Sequence, residues 1–253
     1  MALFRRQTAT APKTTTWHTP SGEYYRISDE ALTAEHTLIA GTTGCGKSTF
    51  LHSIMHAFLI QNTPADARLV LIDPKRVELS MYKKLPHTIE YANNAPDALS
   101  ALRSASAVME QRYAYMEDHG LRKYTGYSIY IIIDELADLM LSNLAREIQD
   151  ELQHLLQLGR AAGLHVIAAT QCPNRQVIKA QLVCNFTARF GLKCQSPIES
   201  RQIVGFKGCE DLPKFGAAIF THGADCGAYK LPYIKDEDIQ PLINWWTSAD
   251  CKN

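Results

Sequence analysis

A glycine-rich loop near the beginning of the chain has the residue types that bind a polyphosphate. Residues 41–48 match the pattern G-x-x-x-x-G-K-[ST] and follow a short apolar run. In such a loop the glycines turn backbone N–H groups toward the phosphates, the lysine reaches the β and γ phosphates, and the serine hydroxyl binds Mg²⁺. We therefore predict that ATP and Mg²⁺ bind here. The candidate nucleotide-binding residues are Gly41, Thr42, Thr43, Gly44, Cys45, Gly46, Lys47, Ser48 and Thr49.

Two adjacent acids form a second candidate catalytic group. Asp134 and Glu135 directly follow the apolar run 129–133, which is typical of a buried strand that ends in a Walker B pattern. If this strand lies beside the strand of the glycine-rich loop, its acids meet the bound phosphates. We assign Asp134 and Ser48 to Mg²⁺, and Glu135 to polarising the attacking water. The alternative is that both acids only cap a helix starting near Leu136, since acids are favourable in a first helical turn.

The elements needed to position these groups alternate along the chain between strands and helices. The apolar segment 37–40 precedes the glycine-rich loop as a strand, and apolar residues at helical spacing follow the loop. Helices are also predicted at 95–118 and 144–162, and strands at 23–28 (an edge strand), 68–72, 129–133, 164–169, 188–192, 217–221 and 229–233, the last two as a hairpin. This order predicts an α/β fold with a mostly parallel central sheet and helices on both faces.

Composition limits the chain to a few classes. Its 253 residues suffice for one large α/β domain, which we assign to residues 22–253, while residues 1–21, rich in Thr, Pro and Ala, are predicted to form a flexible arm. No apolar stretch approaches the length of a membrane span, and no signal peptide is evident. The seven cysteines lack C-x-x-C spacing, which favours the reducing cytoplasm and argues against zinc.

Charge gives no overall attraction to nucleic acid, because 26 basic and 26 acidic residues cancel. Any contact with nucleic acid must therefore come from a local patch. The segment 174–207 contains six basic residues and one acid, so it is the candidate patch. A solvated surface is the alternative explanation for such a run.

Several short blocks occur in an order that is more specific than a glycine-rich loop alone. They are the loop itself, Ile72-Asp73-Pro74-Lys75 with Glu78-Leu79-Ser80, Asp134-Glu135-Leu136-Ala137-Asp138-Leu139-Met140, Gly159-Arg160-Ala161-Ala162-Gly163-Leu164-His165, Ala169-Thr170-Gln171 and Glu199-Ser200-Arg201. Over residues 22–239 the chain resembles the motor domain of the FtsK/SpoIIIE DNA translocases, within the HerA/FtsK superfamily. The resemblance implies a RecA-like P-loop ATPase core, a homo-oligomeric ring with a hexamer expected, and movement along double-stranded DNA.

The resemblance adds two catalytic candidates to Lys47 and Glu135. Arg160 matches an arginine thought to act as a finger on the γ phosphate held by the neighbouring subunit, and such fingers are worth about 10³ to 10⁵ in rate. Its alternative role is to complement the dipole at a helix C-terminus. Gln171 matches a position where a polar residue can sense the γ phosphate, the alternative being an ordinary amide at a strand end.

The chain departs from the family pattern in the loops expected to face DNA. Cys172 stands where an arginine is usual, and Val183 and Pro197 stand where lysines are common. Each lost phosphate contact would weaken DNA binding and flatten its salt dependence. Basic residues at shifted positions can replace these contacts, and the candidate DNA-binding residues are Arg175, Lys179 and Arg201.

The sequence therefore favours an ATP-driven, ring-shaped motor for double-stranded DNA. Residues 1–40 precede the loop and the chain ends soon after Trp245-Trp246. We thus expect no membrane anchor and no sequence-reading tail, and a role for a phage, plasmid or integrative element with its partner proteins. Two alternatives stay open: a conjugative coupling or packaging ATPase, and an accessory subunit that binds nucleotide without gripping DNA. No segment supplies the acceptor pocket and lid of a small-molecule kinase.

Overall fold

The computed structural model describes residues 23–171 and 177–248, so the arm predicted at 1–21 lies outside the described residues. The strands are β1 His36–Ala40, β2 Ala67–Ile72, β3 Thr88–Ala92, β4 Ser128–Ile133, β5 Leu164–Thr170, β6 Ala188–Gly191, β7 Ala217–His222 and β8 Asp225–Lys230. The helices are α1 Glu23–Thr33, α2 Lys47–Gln61, α3 Ala95–Asp118, α4 Leu136–Met140, α5 Ala145–Ala162, α6 Ala180–Cys184, α7 Pro197–Val204 and α8 Asp236–Thr247.

The strands form one sheet in the order β3-β2-β4-β5-β1-β6-β7-β8. Neighbours from β3 to β6 are parallel, whereas the β6–β7 and β7–β8 pairs are antiparallel. Parallel neighbours require crossover connections, and the crossover helices cover the sheet. The predicted α/β fold with a mostly parallel sheet is confirmed. The predicted hairpin is β7–β8, with its second strand starting earlier than 229.

Alternating side chains of the central strands pack against opposite layers of helices. On β4, Ile131 and Ile133 lie in the core with α3, α4 and α5, whereas Ile132 lies with α1, α2 and α8. Because both faces are covered, β4 is apolar at almost every position, as expected for a buried parallel strand. This packing holds the acids that follow β4 at one edge of the sheet.

The strand that precedes the two acids does not lie beside the strand of the loop, contrary to the prediction. Strand β5 lies between them, since both Leu38 of β1 and Ile133 of β4 align with Ala168. Each strand has two hydrogen-bonding edges, and the apolar pattern of a strand does not tell which neighbour takes which edge. Residues that follow β5 are consequently placed between the loop and the acids.

Residues 23–28 begin helix α1 and do not form the predicted edge strand. The short alternation misled the prediction because the helix continues to Thr33, and its later residues Ala31 and Leu32 are buried beside α2. Over this longer window the apolar residues fit a helical period. Ser28 also meets α2, with 3.0 Å between its Oγ and the Oγ of Ser53.

Four elements that were not predicted complete the described part of the domain: β3 at the sheet edge, the short helices α6 and α7, and α8. Helix α8 contains Pro241, a residue that normally argues against a helix interior. Buried Trp246 donates its Nε1–H to the Leu59 carbonyl of α2 at 3.0 Å. This bond anchors α8 alongside α2.

Candidate nucleotide-binding and catalytic site

The glycine-rich loop connects β1 to α2 and presents backbone N–H groups. Gly44 and Gly46 have φ angles of +72° and +95°, a region that favours glycine. Helix α2 begins at Lys47 without a side-chain cap, and Phe50 N–H donates to the Gly46 carbonyl at 3.0 Å. The N–H groups of the first turn before Phe50 therefore lack an intrahelical acceptor. Together with the helix dipole they can bind an anion.

The beginning of the loop is held tightly between β5 and β6. The Gly41 N–H donates to the Thr170 carbonyl at 3.3 Å. Thr42 donates to the Lys193 carbonyl from its N–H at 2.9 Å and from its Oγ1 at 3.1 Å. A Cβ at Gly41 would lie 2.8 Å from the Cys45 Sγ, which is too close. Glycine is required at Gly41 for this close approach, and not for its φ angle.

Lys47 links the loop to the two acids. Its side chain is buried, and its Nζ donates to the Asp134 carbonyl at 3.0 Å. The same atom lies 3.8 Å from Glu135 Oε2 and 4.0 Å from Asp134 Oδ1. The structure thus brings these three predicted residues together, with one ammonium between two buried carboxylates.

The two adjacent acids differ in the direction of their pKa shifts. Burial raises the pKa of Asp134 to about 6, although Lys47 opposes this effect. Burial also acts to raise the pKa of Glu135, but the Lys47 charge and hydrogen bonds from the Gln171 N–H and Lys75 hold it below its usual value. Both carboxylates are therefore mostly ionised at neutral pH, and Glu135 stays ionised to lower pH than Asp134 does. An ionised carboxylate can polarise a water molecule.

The helix-cap role considered for the acids applies to Glu135. Its Oε1 accepts a bond from the Ala137 N–H at 3.4 Å, and Glu135 is the N-cap of α4. The Gln171 N–H donates to the same oxygen at 3.0 Å. Capping and catalysis are compatible here, because the cap bond helps to orient the carboxylate beside Lys47.

Lys75 is a site residue to which sequence reasoning gave no role. Its Nζ lies 3.1 Å from Glu135 Oε2. It belongs to the turn after β2, where the buried Asp73 carboxylate accepts bonds from the Val77 and Leu79 N–H groups at 3.3 and 3.0 Å. Because β2 and β4 are parallel neighbours, the residues that follow them meet at one edge. The sequence feature that could have identified Lys75 is its position shortly after a predicted buried strand.

We expect Lys75→Met to move the acid limb of the ATPase pH profile to higher pH. Lys75 lowers the pKa of Glu135, so its removal raises that pKa, and falling pH then protonates the carboxylate earlier. On the alkaline side turnover should fall by less than about tenfold, because Glu135 is ionised there with or without Lys75. Turnover measured from about pH 5 to about pH 9 tests this expectation. Exposed Lys84, changed to Met, is the control, and an unmoved acid limb would contradict the assignment.

The residues assigned to Mg²⁺ fit that ion in combination with phosphate oxygens. Within residues 23–171 and 177–248, no group of three or more His, Cys, Asp or Glu side chains could hold a metal alone. Mg²⁺ at a nucleotide typically takes one or two protein oxygens and completes its shell with phosphates and water. The Ser48 hydroxyl and the Asp134 carboxylate are such oxygens, and Ser48 is also hydrogen-bonded to Glu78.

Gln171 lies between the loop and the acids, as the position of β5 requires. Its backbone N–H donates to Glu135, and its side-chain Oε1 accepts from the Thr43 Oγ1 at 2.7 Å. One residue therefore contacts both halves of the site. The γ-phosphate sensor role of Gln171 stays a prediction.

Arg160 lies at the amino-terminal ends of the parallel strands, whereas the glycine-rich loop lies at their carboxyl-terminal ends. It is in the last turn of α5, just before β5 begins, whereas the loop follows the end of β1. Its side chain is 74% exposed, and its Nη2 lies 3.0 Å from Glu35 Oε1. Because β1 and β5 are parallel, a strand length of roughly 20 Å separates the two edges. Arg160 therefore does not reach a phosphate in the loop of its own chain.

The structure describes two of the three candidate DNA-binding residues. Lys179 precedes α6 and Arg201 lies in the last turn of α7, and both are exposed. Arg175 and Cys172 fall outside the described residues. Pro197 lies in the first turn of α7, a favourable place for proline, so local structure accounts for it.

The sequence is similar to that of known proteins over most of its length. A model of the FtsK/SpoIIIE family matches residues 7–131. The chain is 33% identical over 232 residues to the DNA translocase FtsK of Staphylococcus aureus (strain Mu50 / ATCC 700699), covering 83% of this chain and 29% of that protein. It is 32% identical over 226 residues to the DNA translocase FtsK of Helicobacter pylori (strain J99 / ATCC 700824), covering 83% and 27%. The chain thus spans less than a third of these relatives.

Solved structures share the fold. The conjugation coupling protein TcpA of pCW3, in a monomer form with ATPγS, superposes with a TM-score of 0.74 at 22% identity, over 85% of this chain and 66% of that chain. The cytoplasmic domain of the type VII secretion ATPase EccC of Thermomonospora curvata gives 0.72 at 19% identity, over 85% and 28%. In the described part of the chain, every helix is too short or too polar to cross a bilayer. By its family match, its relatives and its fold, the chain belongs to the FtsK/SpoIIIE family of P-loop ATPases.

Proposed function

We propose that this chain is the ATPase unit of a ring-shaped motor that moves double-stranded DNA. ATP and Mg²⁺ bind at the glycine-rich loop of one subunit, and Arg160 of the neighbouring subunit completes the site. The names of the sequence relatives, which are DNA translocases, support the DNA substrate.

One observation supports this proposal most directly: the catalytic groups are divided between the two opposite edges of the sheet at which the parallel strands begin and end. The loop, Lys47 and Glu135 are assembled at one edge. The exposed Arg160 side chain lies at the other and makes a surface ion pair with Glu35. Surface pairs of this kind are worth little, typically about 0 to 1 kcal/mol, so the arginine can leave Glu35 for a neighbour's phosphate at low cost. A head-to-tail arrangement that joins the two edges closes into a ring when the rotation permits.

The residues of the site divide the work of hydrolysis among them. The N–H groups of the loop hold the phosphates, and Lys47 exchanges its carboxylate neighbours for phosphate oxygens. Glu135 accepts a hydrogen bond from the attacking water, while Lys75 keeps this carboxylate paired after Lys47 has moved. Ser48 and Asp134 would hold Mg²⁺, which would supply further positive charge to the phosphates.

The DNA contact is assigned to exposed basic residues in the second half of the chain. Lys179 and Arg201 are exposed, and we assign Arg175 to the same contact. Backbone contacts of this kind bind duplex DNA without reading its sequence. Because few contacts are available, binding should depend only moderately on salt.

We expect duplex DNA to raise ATP turnover, and the double charge reversal Arg175→Glu with Lys179→Glu to abolish this stimulation. The basal turnover without DNA should change little, because neither residue is assigned to the nucleotide or to hydrolysis. Turnover with and without duplex at two salt concentrations is the measurement. The matched control reverses the exposed Lys83 and Lys84 on the turn before β3. Stimulation that persists in the first variant would remove Arg175 and Lys179 from the DNA path.

The same measurement separates the motor from the accessory subunit. A slow rate that duplex DNA does not change would favour a subunit that binds nucleotide without gripping DNA. A coupling or packaging ATPase would share the stimulated rate and differ in its partners.

For this family member we propose a cytoplasmic role in DNA transfer by a mobile element. The structural likeness to a conjugation coupling protein makes relaxase and channel proteins the first partners to test.

A further inference from the structure

A cleft opens beside the first turn of α2, next to the glycine-rich loop. Its volume is about 700 Å³, which is in the range of pockets for small ligands. Ser48, Thr49 and His52 of α2 form one wall, Glu78 forms a second, and the segment 233–237 before and at the start of α8 forms a third. We call this space the α8 cleft.

The α8 cleft is continuous with the phosphate-binding loop, because Ser48 and Thr49 belong to both. Phosphates held by the first-turn N–H groups lie within hydrogen-bond distance of these two residues. The Lys47 side chain extends to the other side, toward Asp134 and Glu135. The nucleoside part of a nucleotide bound at the loop therefore adjoins the α8 cleft.

The charge of the α8 cleft suits a neutral ligand with hydrogen-bond donors. Glu78, Asp236 and Glu237 place carboxylates on its walls. The lining ammonium of Lys235 is already paired, with its Nζ 2.9 Å from Glu237 Oε1. Like charges repel, so these walls disfavour phosphate and favour ribose hydroxyls or an exocyclic amine.

Two wall residues of the α8 cleft, His52 and Glu78, are already hydrogen-bonded to each other, and His52 is also bonded to a residue behind the wall. His52 Nε2 lies 3.2 Å from Glu78 Oε2, and His52 Nδ1 lies 2.6 Å from the hydroxyl of the buried Tyr82. These bonds fix the positions of the His52 and Glu78 side chains. Preordered walls favour ligand binding, since little conformational entropy is lost in ordering them.

Tyr233 provides the flat face that a nucleobase needs. Its side chain is 74% exposed, and among the described residues its ring makes no aromatic or cation–π contact. The backbone on both sides is fixed. Leu231 N–H donates to the Gly216 carbonyl at 2.9 Å, and Lys235 N–H donates to Asp238 Oδ2 at 2.9 Å at the start of α8. An exposed aromatic ring on an anchored segment can stack on a base.

We propose that the α8 cleft is the nucleoside subsite of the ATPase, with the Tyr233 ring stacked on the base and the carboxylates of Asp236 and Glu237 accepting bonds from its donor groups. This inference rests on the proposed binding of ATP at the glycine-rich loop, and it adds the residue that recognises the nucleoside. Because stacking tolerates any base, Tyr233 strengthens binding of ATP and GTP alike.

The test compares a whole nucleotide with its phosphates alone. Dissociation constants for ATPγS and for inorganic tripolyphosphate, each with Mg²⁺, are measured by calorimetry on the full chain and on Tyr233→Ala and Tyr233→Phe. We expect Tyr233→Ala to weaken ATPγS binding by about tenfold or more and to leave tripolyphosphate binding unchanged. Tyr233→Phe keeps the ring and should bind ATPγS as the unchanged chain does. Tyr115→Ala, at a half-exposed tyrosine of α3, is the control for loss of an exposed ring.

Two results would overturn the subsite while leaving the ATPase intact. One is unchanged ATPγS affinity in Tyr233→Ala; the other is an equal loss for tripolyphosphate, which would mean that Tyr233 acts through the loop. Lys47→Ala serves as the reference for the phosphate half, since it should weaken both ligands. If the unchanged chain binds neither ligand, the proposed function and the subsite fall together.

Discussion

A mixture of Arg160→Ala and Glu135→Gln chains will hydrolyse ATP, although each variant alone is expected to be nearly inactive. An arginine finger contributes about 10³ to 10⁵ in rate, so Arg160→Ala alone should lose turnover on that scale. Glu135→Gln alone should bind ATP and hydrolyse it slowly. In a mixed ring, a site with intact Glu135 can meet an intact Arg160 from its neighbour. With random head-to-tail mixing about one quarter of the interfaces are complete.

Turnover is measured as the ratio of the two variants changes at constant total concentration. The matched control replaces one partner by the double variant Arg160→Ala with Glu135→Gln, which supplies neither group and should give no recovery. If co-assembly is verified and the mixture stays inactive, Arg160 does not act across subunits. Its alternative role at the C-terminus of α5 would then appear as a lower melting temperature of Arg160→Ala alone.

The sequence alone does not show on which side of the sheet Arg160 lies relative to the glycine-rich loop. The block around Arg160 can be recognised, but its position at the edge opposite the loop depends on strand order. Apolar runs identified β2, β4 and β5 as buried strands, because strands covered on both faces are apolar at nearly all positions. They did not show that β5 lies between β1 and β4, since pairing of strand edges is a tertiary property.

The candidate site shows the same division between local and tertiary information. The loop residues and the pair Asp134–Glu135 were predictable because their chemistry depends on adjacent residues. The contact between Lys75 and Glu135 was not, since it joins turns 60 positions apart. Helix α1 was misjudged for a related reason: six residues fit an alternating pattern, and only burial of Ala31 and Leu32 against α2 decides for a helix.

We expect Lys47→Ala to abolish ATP turnover and also to destabilise the folded chain. Lys47 is buried and compensates the carboxylates of Asp134 and Glu135, as well as donating to the Asp134 carbonyl. Removing one partner of a buried pair typically costs about 3 to 5 kcal/mol, because the remaining charge has no compensation. For a chain of this size such a loss lowers the melting temperature by roughly 10 °C. Thermal unfolding without nucleotide, followed by circular dichroism, measures it.

A second substitution distinguishes the cause of the lost folding stability from the cause of the lost catalysis. Glu135 keeps Lys75 when Lys47 is removed, so the uncompensated charge falls on Asp134, whose pKa burial already raises to about 6. Adding Asp134→Asn to Lys47→Ala removes this charge at nearly constant shape. The double variant should therefore regain most of the melting temperature while staying inactive, whereas Lys84→Ala should change neither property. If the double variant is as unstable as Lys47→Ala, the packing and hydrogen bond of Lys47, and not its charge, hold the loop against β4.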